Sequence, residues 1–370
     1  MKKFVYVDAS ASWLKSQSLI EIESEFLANS YANAGRGICA RADKVDRLVA
    51  ESRQVCADFI GANEKNIVFT FGTTDAFNRI VNIVKNTFRD KNLVVAVSDL
   101  DHHSARLPWM ALEKVGGCKT VLIPLDKNFN LDFNNVPVAD VFVITAMSNV
   151  LGVPQDVARF IKSVRLKNPN AITVVDAAQY VAHEKIDVKK FDCDFLAFSG
   201  HKIGADTGVG VMYIKSPDLF MCDKFGGGMV NRVLDDGNLI LNKEPEKFEA
   251  GTLPLTQIVG LRQAIDDLKK WDGGQDLTNY IYEELSKLER IKMLSQKEAS
   301  ILSFVVQDMH VLDFGALMGA RNICLRVGNM CASWIHKKLG LDGSVRISVG
   351  PWNTMEDVRY VVENIKSLVG

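Results

Sequence analysis

Short, unbroken apolar runs recur along the chain, and several are followed by a stretch with helical spacing. Residues 66–71 (NIVFTF), 93–98 (LVVAVS), 120–125 (TVLIPL), 140–146 (DVFVITA), 171–177 (AITVVDA), 195–200 (FLAFSG) and 208–214 (GVGVMYI) read as strands. Phe77, Ile80, Val81, Val84 and Phe88 recur at helical spacing, and residues 105–115 and 154–168 read as further helices. A strand that is apolar at every position has both faces buried, so this alternation predicts an α/β fold with a large, mostly parallel sheet covered by helices on both sides.

The pattern changes after residue 215. Gly226-Gly227-Gly228 opens an irregular stretch, and the Asp235-Asp236-Gly237 turn predicts a hairpin within 230–248. A long helix fits 255–271, and Asp272-Gly273-Gly274 breaks the chain most clearly. Strands follow near 299–307, 322–326 and 345–348, with a closing helix at 354–368. We therefore expect an N-terminal segment, 1–20, that packs with a smaller α/β domain at 272–370, and a large domain at 21–271.

Composition removes several classes of function. Lys plus Arg is 44 and Asp plus Glu is 45, so no bulk charge draws the chain to nucleic acid or to an acidic membrane. No window of about 18 apolar residues predicts a membrane span, and MKKFVYVDAS lacks a signal-peptide core. The seven cysteines are dispersed without a CxxC pair, which argues for reduced thiols in the cytoplasm and against a zinc ribbon; no metal site is expected.

In open α/β sheets, ligands sit beyond the carboxyl ends of the strands, and polar residues cluster there. Gly72-Thr73-Thr74 lies between a strand and a helix, where it serves as a cap or holds a phosphate on free N–H groups. His102 and His103 follow LVVAVS, either as capping residues or as a ring that covers a planar cofactor and moves protons. Asp176 ends ITVVD with Gln179 three residues on, either as a cap or as a carboxylate against a pyridinium nitrogen. Ser199-Gly200-His201-Lys202 ends FLAFSG; the lysine points to solvent or, in a pocket, becomes a nucleophilic amine. Together these are the parts of a pyridoxal 5'-phosphate site.

These motifs, with FGTTDAFN (71–78), DLDHHSARLPW (99–109), SNVLGVPQD (148–156), VVDAAQ (174–179), DCDFLAFSGHK (192–202), FGGGM (225–229), KFEAGT (247–252), RVGNMC (326–331) and VRISVGPWNT (345–354), resemble the class V aminotransferases of fold type I. Within that family the chain most resembles the cysteine desulfurases and selenocysteine lyases of the Suf and Csd kind. The resemblance covers nearly the whole chain and implies pyridoxal 5'-phosphate as cofactor. Lys202 would bind it covalently, Asp176 would pair with the ring nitrogen and Gln179 with the ring oxygen, and His102 would stack on the ring as an acid/base. Thr73, Thr74, Ser199 and His201 would hold the phosphate, with Thr252 donated across a homodimer. Asn149 would lie beside cofactor and substrate, Arg346 would take the substrate carboxylate with help from Arg326, and Cys331 would accept sulfur. The hairpin would reach over the neighbouring subunit's site.

The implied reaction converts L-cysteine, or L-selenocysteine, to alanine. The persulfide on Cys331 would pass to an acceptor protein, for iron–sulfur cluster assembly or another thiolation route. A class V aminotransferase or another lyase would keep Lys202 and Asp176 without needing Cys331, and a degenerate binding protein would have lost them. A lone cysteine is more often a small buried hydrophobe than a nucleophile. Gly328-Asn329-Met330 before Cys331 reads as a turn that exposes it. The chain departs from the family at Gly204-Ala205-Asp206, at Ala9-Ser10-Ala11-Ser12, and at Gly35 before Arg36-Gly37. The stretch between 272 and 310 is also short for the family.

Overall fold

A computed structural model describes residues 4–35 and 37–370. The strands are β1 Val5–Tyr6, β2 Ile67–Thr70, β3 Leu93–Val97, β4 Cys118–Leu122, β5 Val141–Thr145, β6 Ile172–Asp176, β7 Phe195–Ser199, β8 Gly210–Ile214, β9 Val230–Val233, β10 Leu239–Leu241, β11 Ile291–Met293, β12 Leu302–Val306, β13 Ile323–Cys324, β14 Arg326–Gly328 and β15 Ser344–Ile347. Seven of them form one sheet in the order β2-β8-β7-β6-β5-β3-β4, in which β8 alone runs antiparallel to its neighbours.

The sheet is α/β and mostly parallel, and the apolar runs explain its burial. Every residue of β5, β6 and β7 is buried. Alternate side chains go to opposite faces: Phe142, Ile144, Val175 and Phe198 enter one core, while Val141, Val143, Val174 and Ala197 enter the other. Each fully buried aliphatic side chain contributes about 1.5–3 kcal/mol, so a polar replacement on either face is costly. Helices Thr73–Thr87 and His103–Lys114 cover the second face with Phe77, Ile80 and Trp109. Helix Ala40–Ile60 packs on the first with Val45, Cys56 and Ile60.

A second, four-stranded antiparallel sheet, β11-β12-β15-β14, carries its own core of Leu302, Phe304, Val345 and Ile347 under helix Met355–Val369. Val5 and Val7 belong to this core as well. The single strand expected at 322–326 is instead two, because Ile323 and Cys324 pair with β1 while Arg326 to Gly328 pair with β15. The N-terminal segment continues beside β15, with Asp8 bridged to Ser348 and Ser10 N–H donating to Ser348 Oγ at 2.8 Å. The hairpin around Asp235-Asp236-Gly237 is present but short, β9 with β10, and 246–248 form a helical turn instead.

Candidate active site

All parallel strands of the large sheet end on one edge, and the segments that follow them enclose a cavity of about 310 Å³. At its floor, Asp176 ends β6 between Thr145 of β5 and Ala197 of β7. Its Oδ1 accepts the Ala178 N–H at 2.9 Å in a local turn, and the next helix, Tyr180–His183, has Gln179 at its N-cap and no side-chain cap, so Asp176 does not cap it. Burial raises the Asp176 carboxyl above its ordinary value, against the Ala178 N–H and the Lys202 charge.

Lys202 follows β7 in a single helical turn, and its Nζ donates to the Ser10 carbonyl at 2.8 Å. Burial and the Arg346 charge bring the Lys202 ammonium down to about 8, against the pull of Asp176 and Asp8. Gln179 Nε2 donates to the same Ser10 carbonyl at 2.9 Å. Ser10, from the N-terminal segment, therefore ties two elements of the large sheet to β15.

At one end of the cavity, the turn after β2 is drawn against β7. Gly72 adopts φ +136°, and Gly210 allows this approach because a Cβ there would lie 2.6 Å from Gly72 Cα. Thr73 N–H then donates to Ser199 Oγ at 2.8 Å, and the two hydroxyls lie 2.8 Å apart. Gly72 gives helix Thr73–Thr87 no capping side chain of its own, and with the Thr73 N–H held by Ser199 the positive end of the helix and the two hydroxyls suit an anion. Thr74 is exposed and its hydroxyl lies 2.6 Å from Ser104 Oγ.

His102 caps helix His103–Lys114, with Nδ1 accepting the Ser104 N–H at 3.1 Å. That fixes the neutral ring with its proton on Nε2. Burial, Lys202, His103 and Arg346 lower His102 to about 4. His201, also on the wall, is lowered to about 4 by burial, Lys202 and Lys15.

The opposite rim comes from the second sheet. Arg326 and Arg346 face each other across β14 and β15. Two like charges in register repel, and Asp8 separates them. Arg346 Nη2 meets Asp8 Oδ1 at 3.0 Å, and Arg326 Nη2 meets Oδ2 at 2.6 Å. Arg346 Nη1 donates to the Asn149 carbonyl at 3.0 Å, and Asn149 Nδ2 donates to the Met330 carbonyl at 2.8 Å. Cys331 is exposed at the mouth, and both Met330 (φ 52°) and Cys331 (φ 54°) are left-handed. For non-glycine residues that conformation costs on the order of 1 kcal/mol each.

Among the described residues, four buried polar atoms of this cavity's lining have no partner: Ser10 Oγ, Asn149 Oδ1, His201 Nδ1 and Arg346 Nε. Buried polar atoms are rarely left so, and their convergence fits a polar ligand. The donor set suits pyridoxal 5'-phosphate in particular: a hydroxyl-lined helix N-terminus for the phosphate, a buried carboxylate for the ring nitrogen and a lysine of lowered basicity for the aldehyde.

The cavity brings together Thr73, Thr74, His102, Asn149, Asp176, Gln179, Ser199, His201, Lys202, Arg326, Cys331 and Arg346. It does not include Thr252, which is exposed and lines a separate cleft of about 640 Å³ with Gly35, Arg53 and Glu249. Gly35 N–H is held there by Asp46 Oδ1 at 2.8 Å, while Arg36 lies outside the described residues. The loop Gly204-Ala205-Asp206 sits behind Lys202, where Lys15 Nζ donates to the Ala205 carbonyl. Burial and Asp206 push the Glu23 carboxyl up to about 7 there. Sequence reasoning missed Asp8 and Thr145; Asp8 left no local signal because its arginine partners lie more than 300 residues away. The local signal for Thr145 was its place at the end of an apolar strand.

The class-V aminotransferase family model matches residues 5–361. The chain belongs to this family. It is 32% identical to a probable cysteine desulfurase of Vibrio cholerae over 99% of this chain and 93% of that one. It is 34% identical to a probable cysteine desulfurase of Pyrococcus abyssi over 100% of this chain and 95% of that one. The solved apo structure of a cysteine desulfurase from Thermococcus onnurineus superposes with a TM-score of 0.93 at 33% identity, covering 99% of this class V chain and 94% of that one.

Proposed function

We propose that this class V enzyme is a pyridoxal 5'-phosphate-dependent cysteine desulfurase that takes sulfur onto Cys331. The observation that carries the reading is an exposed cysteine at the mouth of the cavity that also holds Lys202, Asp176 and the Arg326–Asp8–Arg346 cluster. Full-length similarity to chains named cysteine desulfurase supports it.

Bound there, the cofactor supplies a ring that takes up the electron pair released at the substrate Cα. Thr73, Thr74, Ser199 and His201 hold its phosphate, Asp176 its ring nitrogen and Gln179 its ring oxygen. Arg346 receives the substrate carboxylate on its Nε side, with Arg326 beside it. Lys202 Nζ, lowered to about 8, has a neutral fraction near neutral pH and takes the Cα proton. His102, lowered to about 4, stays neutral and carries protons between substrate and solvent. Cys331 thiolate then attacks the substrate sulfur. The carbon–sulfur bond breaks with its electron pair left to the carbon side, the new sulfur–sulfur bond leaves a persulfide on Cys331, and one proton delivered to Cβ and one returned to Cα complete alanine.

We further propose that the persulfide sulfur goes to an acceptor protein for iron–sulfur cluster assembly or related sulfur transfer. Thr252 acts across a homodimer, a reading supported by its exposure in a cleft separate from its own chain's cavity. Seven free thiols suit a reducing cytoplasm. Among the described residues, no helix is long and apolar enough to cross a membrane and no cluster of metal ligands occurs. We also propose the division expected from the sequence, 1–20, 21–271 and 272–370.

The test measures alanine released from L-cysteine with a reductant present, for wild type and Cys331→Ala side by side. Alanine from wild type alone supports the proposal. Alanine from both makes Cys331 dispensable, as in a selenocysteine lyase. No alanine from either, with cofactor bound and an acceptor supplied, defeats the reading and favours an aminotransferase.

A further inference from the structure

The two adjacent histidines have different tasks. His102 lines the cavity, and His103 does not. Instead, His103 grips the segment that carries Cys331. Its backbone N–H donates to the Cys331 carbonyl at 2.8 Å. Its Nε2 lies 3.0 Å from Ser333 Oγ and 3.4 Å from the Ser333 nitrogen. Its ring meets Trp334 edge to face, with centroids 5.1 Å apart. On the other side of the cysteine, Asn149 holds the Met330 carbonyl. Within the segment, Cys331 N–H donates to Asn329 Oδ1 at 3.1 Å. Two consecutive left-handed, non-glycine residues persist only where their surroundings over-determine them. The His103 side chain reaches two residues beyond Cys331, so it resists the unwinding that would relieve Met330 and Cys331.

We propose that His103 is a positioning residue that fixes the backbone of Cys331 over the mouth of the cavity, so that the thiol meets the substrate sulfur without a prior search. The kinetic part of this inference rests on the desulfurase reading; the conformational part does not.

The experiment compares cofactor-loaded wild type, His103→Ala, His103→Gln and Ser333→Ala by hydrogen exchange without substrate. The amides of 331–333 exchange about fivefold faster in His103→Ala, the change expected from losing one net hydrogen bond. Ser333→Ala shifts them the same way, and His103→Gln, whose amide oxygen can accept the Ser333 N–H in place of Nε2, restores protection. With L-cysteine, mass spectrometry shows persulfide forming on Cys331 more slowly in His103→Ala, with KM and the visible absorption of the cofactor unchanged. Wild-type protection in His103→Ala overturns the proposal, as does a shift in KM or absorption that would place His103 at the cofactor. Faster exchange with no persulfide on wild-type Cys331 upholds the clasp and defeats the desulfurase reading instead.

Discussion

Asp176, Gln179, Ser199 and Lys202 stand on or just beyond two adjacent strands buried on both faces, whereas Arg326, Cys331 and Arg346 approach from the other sheet. The first group inherits its geometry from the hydrophobic cores that flank β6 and β7. The second group depends on polar ties: Asp8 between two arginines, Asn149 on Met330, and His103 on Cys331 and Ser333. A floor set by burial tolerates little rearrangement, because a packed core has few alternative states. A rim set by hydrogen bonds of about 1 kcal/mol each opens more readily, which suits a cysteine that must meet both a substrate and a second protein.

Breaking the floor has the largest expected effect. Lys202→Ala lowers alanine formation by about 10³-fold or more, since both the proton acceptor and the covalent tether are gone. Single-turnover assay of the cofactor-loaded variant checks this, and a change confined to KM would contradict the floor's assigned role.

At the rim, Arg346→Lys loses the planar fork while keeping charge. We expect kcat/KM for L-cysteine to fall about 10- to 100-fold, mostly through KM, corresponding to about 1.4–2.8 kcal/mol. Steady-state kinetics tests it, and a loss confined to kcat would place Arg346 in the chemistry instead.

Thr252→Val addresses a residue in neither group. If a partner subunit donates it, the variant holds cofactor about fivefold more weakly, as for one phosphate hydrogen bond. Dialysis equilibrium with pyridoxal 5'-phosphate measures this, and unchanged retention would remove Thr252 from the site.

The smallest effect concerns pH. His183 lies behind the floor and is lowered to about 4 by burial and the Lys202 charge. Between pH 6.5 and 4 the unfolded chain binds the extra proton, so this histidine removes stability as pH falls through that window. Urea unfolding of cofactor-free protein at pH 7 and pH 5 should show a drop about 2 kcal/mol smaller in His183→Asn than in wild type. Asp101, raised to about 6 by burial against its hydrogen bonds, titrates with the opposite sign and cancels in this comparison. Equal drops in both proteins would show that His183 does not stay neutral.

Six strands of the large sheet were legible as apolar runs, because a strand buried on both faces has no polar position to obscure it; the edge strand β4, half exposed with Lys119 outward, lies at Cys118–Leu122 instead of the expected 120–125. The floor residues were legible for a related reason: each follows directly on such a run, so chain order alone places it at a strand end. Chain order could not place Asp8 between Arg326 and Arg346, since local patterning carries no information across more than 300 residues. Nor could it split 322–326 into two strands, because that division comes from two different partners competing for one segment. It read Gly328-Asn329-Met330 as a turn that exposes Cys331, yet the left-handed pair and its grip by His103 arise only when the two sheets meet. Sequence by itself determined the elements and the chemistry at their ends, because burial and periodicity are local. Tertiary structure decided the rim, because its polar contacts join segments that lie far apart in the chain.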